Sequence, residues 1–115
     1  MNFVINLKTI TLANGYSLSF DFPIKNTLTI NDIIVIVVES PFDVIYRQNV
    51  FAIKTTGDFL WRIDDIELCY TGNENCFYVD AELNDKNELI LYNWCDSAVI
   101  VEPETGDIIR KYQTK

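Results

Sequence analysis

The stretch NVFAIKTTGDFLWRI, residues 49–63, is a short apolar block, VFAI, that breaks at Thr-Gly-Asp and resumes as a second apolar block, FLW. That is the pattern of two β-strands joined by a tight turn, with Gly57 free to take the left-handed conformation that the turn requires. SAVIVEPETGDIIRKY, residues 97–112, repeats the plan around Gly106. Each hairpin follows an apolar strand, IIVIVVE at 33–39 and ELILYNW at 88–94, and each return strand carries an aromatic, Trp61 or Tyr112. These paired units predict an antiparallel β architecture assembled from hairpins.

Outward from them, β-branched and aromatic residues recur in short blocks rather than at helical spacing. Strands are expected at Asn2–Ile10, Tyr16–Phe22, Asp32–Glu39, Asn49–Lys54, Phe59–Ile63, Ile66–Tyr70, Cys76–Glu82, Glu88–Cys95, Ser97–Glu102 and Asp107–Tyr112. Turn signals separate nearly all of them, with Gly, Asn and Asp at 13–16, 55–58, 71–73, 83–87 and 103–107. A short helical turn is conceivable only around Asp80–Lys86. The expected fold is all-β: an antiparallel sandwich or partly open barrel of about 9 to 10 short strands. With 115 residues the chain has the size of a single domain spanning 1–115.

No apolar run approaches the roughly 18 residues of a membrane helix, the longest being Ile33–Val38. The opening MNFVINLKTI lacks a basic leader, a continuous apolar core and a small-residue cleavage site, so a cytoplasmic location is expected. Three cysteines, Cys69, Cys76 and Cys95, then read as reduced thiols, with Cys69 and Cys76 able to face each other across a turn.

Chemistry is sparse. There is no histidine, which removes the commonest general base and metal ligand. No phosphate loop, dinucleotide fingerprint or nucleophile elbow is present. Pairs of carboxylates, Asp64 with Asp65 and Glu67, or Asp80 with Glu82, have the residue type for acid/base work or an oxygen-ligand metal site. On a strand the same spacing describes a solvent face. The chain is therefore expected to be no enzyme and to need no metal or cofactor.

Charge is the stronger signal. The net charge is −8, from 17 acids and 9 bases. Between residues 64 and 88 stand eight acids, Asp64, Asp65, Glu67, Glu74, Asp80, Glu82, Asp85 and Glu88, against the single base Lys86. An acidic pole disfavours nucleic acid and favours a basic protein partner. A solvated face that only confers solubility would look alike. Aromatics flank the segment, and Tyr70, Tyr78 and Tyr92 are the ones expected at the surface, where tyrosines beside charges act as interface anchors.

The hairpins VFAIKTTGDFLW and AVIVEPETGDII resemble those of quinoprotein-type β-propeller blades, although two copies are too few to close a propeller. In its whole character, short, acidic, β-rich and without catalytic motifs, the chain is similar to bacterial immunity proteins of polymorphic or contact-dependent toxin systems. That resemblance implies a cognate toxin domain with a basic surface, a nuclease for example, as partner. Asp64, Asp65, Glu67, Tyr70, Glu74, Tyr78, Asp80, Glu82, Asp85 and Tyr92 would form the contact, with the inhibitor as a monomer or homodimer. The alternative is an assembly module that pairs through open sheet edges. A third reading is a small-ligand site in a barrel mouth or between sheets, with Trp61 and Trp94 as reporters.

Overall fold

A computed structural model describes residues 3–65 and 76–114. Among these residues there are eleven strands and no helix, and so no helix long and apolar enough to cross a membrane. The strands form three antiparallel meanders. The first sheet contains β1 (Phe3–Asn6), β2 (Thr9–Leu12) and β3 (Ser17–Ser19). The second runs in the order β4 (Ile24–Ile30), β5 (Ile33–Val38), β6 (Val50–Lys54) and β7 (Phe59–Arg62). The third contains β8 (Tyr78–Leu83), β9 (Leu89–Asn93), β10 (Ser97–Val101) and β11 (Ile108–Gln113).

Why the sheets stack follows from β5. A strand with one solvated face alternates, whereas IIVIVV is apolar at every position and is buried at every position. Ile33, Val35 and Val37 pack with Leu89, Leu91, Val99 and Val101 of the third sheet. Ile34, Ile36 and Val38 pack with Ile10 and Leu12 of the first. The second sheet is thus the filling between two others, a sandwich with a third layer, and two cores share one strand. The all-β expectation holds, and the two sequence repeats occupy the last three strands of the second and third sheets.

Glycine joins the layers at two corresponding points. Gly57, with φ 106°, leaves the space that the Tyr16 ring of the first sheet fills, and a Cβ there would lie 2.6 Å from it. Gly106, with φ 77°, does the same for the Trp61 ring, which a Cβ would meet at 2.5 Å. Trp61 then donates its indole N–H to the carbonyl oxygen of Pro103 at 2.7 Å. Each Thr-Gly-Asp turn is therefore a socket for an aromatic from the preceding sheet.

Several local expectations change. Asn2–Ile10 is two strands rather than one, because the chain turns at Leu7, which has φ 56°. β4 lies in a segment that showed no turn signal of its own; the hairpin into β5 uses Asn31 at φ 54° without glycine. Asp80–Lys86 forms no helical turn. β8 continues to Leu83, and the Asn84 side-chain oxygen accepts the N–H groups of Lys86 and Glu88, closing a hairpin instead. The strand expected at 66–70, and Cys69 with it, lies outside the described residues. Cys76 is joined to Cys95 rather than reduced or paired with Cys69. The cause is register: Tyr78 pairs with Asn93, and continuing that antiparallel count brings 76 opposite 95.

Candidate functional site

Alternation along YVDAEL sends Ala81 and Leu83 into the core and leaves Asp80 and Glu82 exposed on the far face of β8. On the adjacent β9, Ile90 and Tyr92 point the same way. The Tyr92 hydroxyl donates to Glu82 at 2.9 Å. That bond first, and burial second, push the phenol up to about 12, so Tyr92 stays a hydrogen-bond donor throughout the neutral range. Asp80 accepts from the Asn26 side chain of β4 and from the backbone N–H of Ala81. Beneath Tyr92 lies a narrow apolar strip of Ile90, Ala98 and Ile100. Asp85 is exposed at the tip of the β8–β9 hairpin.

The remaining acids of the segment are distributed differently. Asp64 and Asp65 follow β7, in the second sheet, and Arg47 pairs with Asp65 at 2.8 Å. Glu88 is bonded by Asn84 and by Arg110, the latter at 3.1 Å, and these contacts hold its carboxyl below the usual range. Among the described residues, Asp64, Asp80, Glu82 and Asp85 make no ion pair. Glu67, Tyr70 and Glu74 lie outside the described residues.

Tyr78 is not a surface anchor. It is 3% exposed in the core between the second and third sheets, and burial, with Asp65 nearby, pushes its hydroxyl up to about 12. Asn49 fixes the strand around it, accepting the Tyr78 N–H at 2.8 Å and donating to the Tyr78 carbonyl at 2.7 Å. The inward phase of β8 decides this, and a register shift between Tyr78 and Asp80 places Val79 in a bulge.

The acids of the third sheet are not confined to the 64–88 segment. Residues 76–114 hold eight acids against three bases, net −5, and four of those acids were not singled out from the sequence: Asp96, Glu102, Glu104 and Asp107. They sit in the β9–β10 and β10–β11 connections, so a contiguous window could not find them.

A cleft of about 530 Å³ opens beside this sheet, where the loop after β5 meets the beginning of β8. Phe42 packs edge-on against Phe77 and Trp94 with ring centroids 5.5 and 5.6 Å away. Phe77 and Trp94 stack, with 16° between their planes. The Cys76–Cys95 bond is the immediate chain neighbour of both, and the Trp94 N–H reaches the Phe77 carbonyl at 3.1 Å. Ser40 lines the same space, and its hydroxyl is buried without a hydrogen-bond partner among the described residues.

A family model described as a domain of unknown function, DUF7957, matches residues 4–113. The chain belongs to the DUF7957 family. No curated protein and no solved structure matches it. The chemistry of this DUF7957 member is therefore argued from its own residues. Among the described residues no three Cys, Asp or Glu side chains gather as a metal centre requires. The two surfaces with distinctive chemistry are the acidic face of the third sheet and the aromatic cleft.

Proposed function

We propose that the domain is a protein-binding inhibitor of the immunity type, which sets its acidic third sheet against the basic surface of a toxin such as a nuclease and keeps substrate out. One observation carries the reading: the third sheet with its connections is net −5, and Asp80, Glu82 and Asp85 stand on one hairpin without basic partners among the described residues. Carboxylates gathered on one hairpin make a negative field that speeds encounter with a basic surface. Tyr92, held by Glu82, supplies a fixed anchor. The proposed contact is thereby narrower than the whole 64–88 segment, since Asp65 and Glu88 are already occupied by arginines. A cytoplasmic location belongs to this reading, and the Cys76–Cys95 bond weighs against it.

The test is co-expression with the product of the adjacent reading frame, followed by titration of the purified pair. A one-to-one complex that restores growth is expected. Asp80→Lys with Glu82→Lys should weaken it roughly tenfold at low salt and less at high salt. Absence of a complex, or unchanged affinity at low salt, overturns the proposal.

A second reading, assembly through sheet edges, is favoured by β1, an edge strand whose Val4 is 68% exposed and which runs into the still more exposed Leu7. Sedimentation that gives a stable homo-oligomer, dispersed by a Val4→Lys substitution, would support it. A monomer at all concentrations would eliminate it.

A further inference from the structure

We infer that the cleft beside Phe42, Phe77 and Trp94 is a binding site for an uncharged, planar, mostly apolar small molecule. Its walls are rings and prolines. Phe22, Pro23, Pro41 and Val79 extend the lining that the three aromatics begin. The stacked Phe77 and Trp94 and the edge-on Phe42 are arranged to receive another flat ring, for which offset and edge contacts are the preferred geometries. Phe42 is 73% exposed and Trp94 44%, a large apolar outlay for a chain this size, concentrated at one place.

One polar feature defines the ligand further. Lys25 and Glu39 both line the cleft and lie 3.8 Å apart, so they compensate each other and leave no net charge to attract an ion. The volume lies within the range of small-molecule sites and exceeds what one inserted side chain fills, which favours a free ligand over a residue of a partner protein. The inference is independent of the acidic face and stands whether or not that face binds a toxin.

The experiment follows the two indole N–H signals of the intact ¹⁵N-labelled chain by NMR during titration with 2-naphthol. Trp94 lies at the cleft, and Trp61 is buried against Gly106, so the second serves as an internal reference for folding. The Trp94 signal should shift saturably while that of Trp61 holds. Phe42→Ala should lower the affinity roughly fivefold by removing one ring contact, and the anion 2-naphthoate should bind more weakly than 2-naphthol. Equal movement of both indoles, no saturable shift, or the same affinity in Phe42→Ala overturns the assignment. So does tighter binding of N-acetyltryptophanamide, which stands for a side chain delivered by a protein.

Discussion

Leu7 adopts φ 56° although it is a bulky residue, and it is 75% exposed, so it gains nothing from packing in return. The left-handed conformation costs such a residue about 1 to 2 kcal/mol. Leu7→Asn should therefore raise stability by about 1 kcal/mol, as read from the urea midpoint at unchanged slope. Tyr78 and Tyr92 offer a test of electrostatics at the same scale. Both phenols are pushed up to about 12 in the folded chain, above the ordinary value near 10. A folded state that holds its proton more tightly is favoured below the unfolded value, and the advantage fades as pH climbs through the folded one. Stability should accordingly decline between about pH 10 and 12. Absorbance at 295 nm should show a late phenolate component there, part of which disappears in Tyr92→Phe.

At the level of the element, the Thr-Gly-Asp turns do more than reverse the chain. The turn between β10 and β11 receives Trp61, and the one between β6 and β7 receives Tyr16, so each hairpin ties one sheet to the next. Gly106→Ala combines a disfavoured φ with a Cβ driven into the indole, and should cost about 3 kcal/mol. The same substitution at Gly15 should cost less, since nothing lies within 4 Å of a Cβ there. Thermal or urea unfolding of the two variants side by side measures the difference. The hairpins themselves were readable from residues 49–63 and 97–112, because glycine at a turn is a local requirement. β4 was not, because its turn rests on Asn31 and its strand IKNTLTI mixes polar and apolar residues at the sheet edge.

For the whole molecule, the Cys76–Cys95 bond closes the open end of the β8–β9 hairpin and holds Phe77 beside Trp94. A cross-link over a sequence separation of 19 residues restricts the unfolded chain by about 3 kcal/mol. Cys95→Ser, or reduction with dithiothreitol, should lower unfolding free energy by about that amount and weaken binding of 2-naphthol at the cleft. What the residues determined alone was the all-β class, the paired hairpins, the acidic balance and the burial of IIVIVV, since each depends on local conformation, on side-chain alternation or on counting. Which carboxylates stay unpaired, that Tyr78 faces inward, which cysteines meet and where three aromatics enclose a cleft were decided by the tertiary structure. Those outcomes depend on strand register and on which sheets lie against one another, and both are set by contacts between residues far apart in the chain.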